Sequence, residues 1–165
     1  MATITFETLT LIQISMLKYQ KQNNIEKNCI TNTQVLYDIV KINYPELQPK
    51  AKAVICYFKD GDVGVLYSHL LLEINLLGYR IIEVSYDVIK HIPVVYFESF
   101  INLKKDFANF DELDKDKIKS ILKMYLKLKN IENIINNGTF QISSIEYYNN
   151  LMDYIKHEHS FLKEK

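Results

Sequence analysis

The sequence predicts an α+β domain in which helices flank an antiparallel sheet. Between residues 51 and 88, short runs rich in β-branched and aromatic residues alternate with turns that contain glycine, which is typical of antiparallel strands. Longer segments on both sides place apolar residues at helical spacing. With 165 residues, of which 48% are hydrophobic, the chain suits one domain with a substantial core. We expect this domain to span residues 1–165, with its α+β core at about 24–100 and a helical extension at about 111–163.

Two helices are predicted ahead of the sheet. Residues 5–20 place their apolar side chains at helical spacings, and a polar gap at residues 20–24 follows. The second helix begins at Cys29 and ends close to Pro45, because proline disfavours helical conformation in the residue that precedes it. We expect the first helix to serve packing and the second to hold a functional cysteine.

Three antiparallel strands are predicted next. The first covers residues 51–58 and is closed by a turn at residues 59–62, and the other two cover residues 63–75 and 79–88. The intervening Leu76-Leu77-Gly78 has the length of a three-residue hairpin loop with glycine at its left-handed position. The three strands are therefore expected to form an antiparallel sheet.

The last third of the chain is predicted to be mainly helical. A short strand at residues 94–97 precedes a loop at residues 100–102, where the sheet is expected to end. Apolar residues follow helical spacing from Asp114 to Asn136-Asn137-Gly138, and a glycine commonly ends a helix. The pattern Ser143-Ser144-Ile145-Glu146 can cap a final helix.

The composition argues against several classes of function. Twenty Lys+Arg residues balance twenty Asp+Glu residues, and Arg80 is the single arginine, so neither a long-range field nor arginine forks favour nucleic acid or an anionic membrane. The N-terminal residues do not resemble a signal peptide, and no apolar run is long enough to cross a bilayer. We therefore expect a cytoplasmic protein that binds neither nucleic acid nor membrane.

No metal or other cofactor is expected. The two cysteines, Cys29 and Cys56, lack the spacing of a metal knuckle or a redox pair, and the expected compartment disfavours a disulfide. Cys56 lies in a predicted strand and is expected to be buried and inert. His91 is expected in a turn, and His157-Glu158-His159 is expected at a solvated terminus, because residues two apart do not share a helix face.

Cys29 differs from Cys56 in its position. It begins a helix, where the first backbone N–H groups are unpaired and the helix dipole is positive, and such a site can hold a cysteine as the thiolate. A thiolate is a nucleophile. The alternative is that Cys29 is a small apolar residue at the start of a core helix.

The predicted hairpin offers this thiol two partners. If its loop is Leu76-Leu77-Gly78, Asn75 opposes Tyr79, and the same register places His69 and Glu83 diagonally on one face. A carboxylate at that distance can hold an imidazole in one tautomer. The three residues would then supply a nucleophile, a base and an orienting acid.

Two other acids compete with Glu83 for this role. Glu73 lies on the same face of the hairpin, and Asp87 would take the position if the hairpin contained a bulge. His69, in a hydrophobic strand, could also be a core histidine that only satisfies its hydrogen bonds.

Three stretches of the sequence together resemble one family. Asn-Cys at a helix start, Tyr-Ser-His-Leu-Leu-Leu-Glu-Ile in a strand and Gly-Tyr-Arg-Ile-Ile-Glu-Val-Ser-Tyr after the turn are similar to the transglutaminase-like branch of the papain-like cysteine peptidase superfamily. The resemblance covers residues 24–100. It implies a helix that begins with the cysteine and packs on an antiparallel sheet. It also implies three roles: Cys29 as nucleophile, His69 as base and later acid, and Glu83 as orienting acid.

The chain departs from the family pattern in two places. The family has Asp-Pro-Ser after the turn, whereas this chain has Glu83-Val84-Ser85, and the chain contains no tryptophan. The donor that would stabilise an oxyanion is also open. The side chains of Gln20, Gln22 and Asn23 compete with the backbone N–H of Cys29 for this role.

Two functions are predicted on this basis. The first is a thiol-dependent hydrolase or acyltransferase of the cysteine peptidase or amidase kind, with a Cys29-His69-Glu83 triad acting on a peptide or protein-like amide. The alternative is a non-catalytic interaction module on the same scaffold. In that module, the tyrosine and leucine stripes of the C-terminal helices would pack on a partner or on a second copy.

Overall fold

Helices and one antiparallel sheet make up the structure, a computed structural model that describes residues 2–142 and 144–163, apart from the side chains of residues 2–4. The predicted α+β class is confirmed. In chain order the described elements are α1 (Ala2–Gln22), α2 (Cys29–Asn43), a 3-10 turn (Pro45–Leu47), β1 (Lys50–Asp60), β2 (Val63–Asn75), β3 (Tyr79–Ile82), α3 (Tyr86–Ile89), β4 (Val95–Phe97), α4 (Phe100–Asp106), a second 3-10 turn (Phe110–Glu112), α5 (Lys115–Asn136) and α6 (Ile145–Glu158). The strands lie in the order β3, β2, β1, β4, and neighbouring strands are antiparallel.

Both faces of the sheet are covered by helices. β1 and β2 pair along their whole length, with Val54 opposite His69, and successive side chains point to opposite sides. α5 covers one side, where the Ser68 hydroxyl donates to the Ile121 carbonyl at 2.8 Å. α2 covers the other side, α6 packs on α2, and α1 packs on α6. Because α2 lies between these layers, it is buried from Thr31 to Val40.

The apolar stripes of the two long C-terminal helices are used within the chain. α5 turns its stripe to β1 and β2, and α6 turns its stripe to α1 and α2. The buried residues are Ile121, Tyr125, Leu128 and Ile135 in α5, and Tyr148, Leu151, Met152 and Ile155 in α6. These eight side chains are buried within the chain, whereas Leu126 of α5 is exposed, and the interaction module remains a prediction.

Side chains of α5 pair with the edge of β1 where β4 does not reach. The Oδ1 of Asn136 accepts from the Ala51 N–H at 2.7 Å, and its Nδ2 donates to the Ala51 carbonyl at 3.0 Å. Glu132 accepts from the Ala53 N–H at 2.8 Å. Unpaired strand edges invite pairing with other chains, so these bonds both close the edge and fix α5 along the sheet.

The hairpin between β2 and β3 has the predicted register. Asn75 pairs with Tyr79, and the pairing continues to Leu72 opposite Ile82. Gly78 occupies the loop with a φ of 112°, a conformation that glycine adopts at no steric cost. The three-residue loop is confirmed, and with it the face on which His69 lies.

β3 is shorter than the sequence predicted. It ends at Ile82 instead of residue 88, because the chain leaves the sheet and the Glu83 carboxylate accepts hydrogen bonds from the N–H groups of Val84 and Ser85. These N–H groups therefore do not take part in the ladder. The next residue, Tyr86, begins α3.

One helix, α4, was not predicted, whereas α6 begins directly after Ser144 of the predicted cap. Residues 100–102 were expected in a loop but belong to α4, which is capped by Ser99: the serine hydroxyl accepts from the Asn102 N–H at 3.1 Å. Ser143, part of the predicted cap of α6, lies outside the described residues, and the side chain of Ser144 makes no capping hydrogen bond. None of the described helices combines the length and the apolar character needed to cross a bilayer.

Candidate active site

Cys29 is the first residue of α2 and follows the N-cap residue Asn28. The Asn28 side chain does not cap the helix; its amide donates to the Glu26 carbonyl at 2.9 Å. The N–H groups of the first turn have no acceptor inside the helix, and the dipole is positive there. Cys29 keeps 7% of its surface exposed. The thiol thus lies at the positive end of a buried helix, with narrow access to solvent.

His69 lies in the middle of β2, on the face that α2 covers. It is completely buried, and its Nε2 is 2.6 Å from the Oε2 of Glu83. A carboxylate only accepts, so Nε2 is the donor and carries the proton in this contact. Nδ1 is therefore the ring atom left to exchange a proton with another group.

The Cys29 thiol acts on the same ring. Burial by itself lowers the pKa of His69, but the negative charge of Glu83, hydrogen bonding to Cys29 and Glu83, and the charge of Cys29 outweigh it and raise the pKa to about 10. Among the described residues, no partner meets both the distance and the angle of a full hydrogen bond to Nδ1. Cys29 therefore affects the pKa of the ring without a hydrogen bond to Nδ1 that meets both criteria.

Glu83 is held by four donors. Its Oε2 accepts from His69 and from the backbone N–H groups of Val84 at 2.9 Å and Ser85 at 3.0 Å, and its Oε1 accepts from the Tyr96 hydroxyl at 2.9 Å. Only 5% of its surface is exposed. A carboxylate that accepts at both oxygens cannot rotate freely, so Glu83 presents a fixed acceptor to the imidazole.

The structure brings the three predicted site residues together. Cys29 comes from α2, His69 from β2, and Glu83 from the segment directly after β3. Glu83 reaches His69 from outside the sheet ladder, although the sequence predicted it within a longer strand. The predicted diagonal placement of His69 and Glu83 assumed that the strand continues through Glu83, but the strand pairing ends at Ile82. The contact still forms, because the Glu83 side chain lies on the same face of the sheet as His69.

The competing acids have other partners. Glu73 pairs with the ammonium of Lys52 at 2.8 Å, and Asp87 accepts from the backbone N–H of Lys27 at 3.2 Å. Neither acid is among the groups that shift the pKa of His69. Glu83 is therefore the acid that acts on the imidazole.

Two candidate oxyanion donors are engaged elsewhere. The buried amide of Gln20 donates to the Val84 carbonyl and accepts from the Tyr86 N–H. The amide of Asn23, just after α1, donates to the carbonyl of Tyr19. Gln22 is exposed at the end of α1. The backbone N–H of Cys29 remains as the donor next to the thiol, because it has no acceptor inside the helix.

Two tyrosines that were not predicted as part of the site lie beside it. Tyr96 lies on β4 opposite Cys56 and reaches Glu83 with its hydroxyl. The Tyr67 ring centroid is 5.6 Å from that of His69. Burial is the main cause that raises the pKa of Tyr67, and the charge of Cys29 is the second. Pairing of β1 with β4 could have revealed Tyr96, but that pairing has no local signal.

Cys56 lies next to the cluster, opposite Tyr96, and two of the remaining histidines have partners elsewhere. Cys56 is a free, buried thiol, and burial raises its pKa. His91 stacks on Phe58 with ring centroids 4.5 Å apart, and His159 forms a hydrogen bond of 2.8 Å with Ser15. Within residues 2–142 and 144–163, no group of three or more potential metal ligands lies together.

Comparison with protein-family models, with curated proteins and with solved structures found no match for this chain. The function is therefore argued from the geometry of the cluster.

Proposed function

We propose that this protein is a thiol-dependent hydrolase or acyltransferase in which Cys29 is the nucleophile, His69 the acid–base group and Glu83 the orienting acid. One observation supports this above all: the buried Glu83 carboxylate fixes Nε2 of His69 at 2.6 Å, which leaves Nδ1 for the thiol at the start of α2. Nucleophile, base and orienter therefore follow one another in the order that activated thiols require.

The resting site would hold its proton on His69. The raised pKa of the ring keeps it protonated near neutral pH, and the positive end of α2 favours a negative sulfur. The sulfur would attack an acyl carbon, forming a C–S bond and an oxyanion that the Cys29 N–H can stabilise. The proton on His69 would pass to the leaving amine as the C–N bond breaks.

Water would complete the cycle. His69, now neutral, would take a proton from water as its oxygen attacks the thioester carbon. The C–S bond then breaks, the acid leaves, and the site returns to the thiolate and the imidazolium. An amine in place of water would give acyl transfer by the same steps.

We also propose that the domain has a papain-like or transglutaminase-like fold. The arrangement that supports this is a helix that begins with the cysteine, packs on an antiparallel sheet, and faces a histidine on the neighbouring strand. The substrate class that goes with this fold is a peptide or protein-like amide.

The test compares the two thiols of one chain. Iodoacetamide at pH 7, followed by peptide mass spectrometry, should label Cys29 much faster than Cys56, because Cys56 is a buried thiol whose pKa is raised. His69→Ala should slow the labelling of Cys29 by about 100-fold, the lower range of what a positioned base contributes. His91→Ala, which removes a histidine outside the cluster, is the matched control and should leave the rate unchanged.

Equal and slow labelling of both thiols would refute the proposal. A second measurement concerns the chemistry itself. Incubation with a small activated acyl ester should leave an acyl group on Cys29 that disappears with time, and Glu83→Ala should reduce its formation. An acyl group on lysines alone, with none on Cys29, would contradict the proposed role of the thiol.

A further inference from the structure

Two glutamines of α1 form hydrogen bonds with the backbone of the segment that contains Glu83. The Nε2 of Gln13 donates to the Glu83 carbonyl at 3.0 Å, and the Nε2 of Gln20 donates to the Val84 carbonyl at 2.7 Å. The Oε1 of Gln20 also accepts from the Tyr86 N–H at 2.8 Å. The two glutamines are seven residues apart, about two helical turns, so they lie on the same face of the helix.

These bonds act on the peptide groups that hold the Glu83 carboxylate. The Glu83 carbonyl and the Val84 N–H belong to one planar peptide group, and the Val84 carbonyl and the Ser85 N–H belong to the next. Both N–H groups donate to Oε2 of Glu83, at 2.9 Å and 3.0 Å. Each glutamine therefore donates to the carbonyl of a peptide group, and the N–H of that same peptide group donates to the Glu83 carboxylate.

Both ends of the Gln20 amide bind the backbone of the segment after Glu83. It is 1% exposed, and a buried amide is costly unless both of its ends are paired. Here the amide nitrogen and the amide oxygen bind backbone atoms on the two sides of Ser85. An apolar side chain would fill the same space, but the peptide groups before and after Ser85 would lose these hydrogen bonds and could tilt.

We infer that Gln13 and Gln20 are positioning residues, which fix the Glu83 carboxylate against His69 through the peptide groups after Glu83. In this view α1 is a working part of the site and not only a packing helix. The effect on reactivity rests on the proposed function, whereas the effect on the orientation of Glu83 does not.

The experiment replaces Gln20 by methionine, which keeps the length of the side chain and removes both hydrogen bonds. The first readout is the His69 Nε2–H proton in the NMR spectrum, since a proton in a short bond to a carboxylate resonates far downfield. We expect this signal to shift upfield or to vanish by exchange. The second readout is the rate of Cys29 alkylation, which should fall by about 10- to 100-fold, as expected when an orienting shell is loosened.

Three further variants keep the test decisive. Gln13→Met removes one hydrogen bond and should give the same changes, but smaller, in case Gln20→Met does not fold. Glu7→Met introduces methionine at an exposed position of the same helix and should change nothing. Ile12→Val removes one methyl group from the buried face of α1, keeps both glutamines, and should leave the NMR signal in place.

The outcomes separate this inference from the proposed function. If both glutamine variants fold and leave the downfield proton unchanged, or if Ile12→Val moves it equally, the inference is overturned. If the proton responds to Gln20→Met while Cys29 of the unmodified protein is unreactive, the inference holds and the proposed function fails.

Discussion

Replacing Glu83 by glutamine isolates the role of one buried charge. Glutamine keeps the length of the side chain, and its one oxygen can occupy the Oε2 position and accept from His69 and the two backbone N–H groups. The Tyr96 hydroxyl, which now donates at 2.9 Å, can turn and accept from the new amide. The fold should therefore survive, and the main loss is the charge that faces the imidazolium.

The size of this loss follows from the kind of bond that is changed. A hydrogen bond to a charged group contributes about 1.5–3 kcal/mol to stability, and the bond between Glu83 and His69 is of this kind. We expect Glu83→Gln to lower the free energy of unfolding by about 2 kcal/mol near pH 7. Glu83→Ala should cost more, because it leaves four buried donors without an acceptor.

The pH dependence of the difference is the sharper part of this prediction. Burial lowers the pKa of His69, but the charge of Glu83, followed by hydrogen bonds to Cys29 and Glu83 and the charge of Cys29, raises it in the folded protein from 6.5 to about 10. A raised pKa stabilises the fold fully below the unfolded value, and the contribution is lost as the pH rises through the folded value. The stability difference between the protein and Glu83→Gln should therefore be largest near pH 6.5 and should shrink towards pH 10.

The assay is urea unfolding followed by circular dichroism at pH 6.5, 8 and 9.5. The same pair is measured in a Cys29→Ser background, so that ionisation of the thiol cannot contribute. Other titrating groups are common to both members of each pair and cancel in the difference. A stability difference that stays constant across this range would refute the argument that Glu83 controls the protonation of His69.

Two further predictions concern stability. Tyr96→Phe leaves Oε1 of Glu83 without a donor and should lower the free energy of unfolding by about 1–3 kcal/mol. The control Tyr57→Phe, on the opposite face of the sheet, should lower it by less. Equal losses in urea unfolding would contradict the hydrogen bond between Tyr96 and Glu83. Asn136→Ala removes both bonds to Ala51 and should cost about 1–3 kcal/mol, with the exposed Asn130→Ala of α5 as the control; an unchanged midpoint for Asn136→Ala would show that the β1 edge does not need this cover.

The local sequence by itself determined the helix start at Cys29 and the register of the hairpin that contains His69. Asn28-Cys29 begins a helix in the structure as the pattern predicted, and the loop Leu76-Leu77-Gly78 sets the register of the hairpin. Period-two alternation then fixes the face on which His69 lies, because a shift of one residue would turn every side chain to the other side. These features depend on neighbours close in sequence, and that is why the sequence alone could specify them.

The tertiary structure decided what surrounds His69 and Glu83. The pairing of β1 with β4 brings Tyr96 close to Glu83. Gln13 and Gln20 belong to α1, some seventy residues before the segment to which they donate hydrogen bonds. The early end of β3 also depends on these distant contacts, since Glu83 and the glutamines satisfy backbone groups that a longer strand would have used. A buried backbone group needs a partner but does not specify which one, so only the packed fold could determine that α1 and β4 supply it.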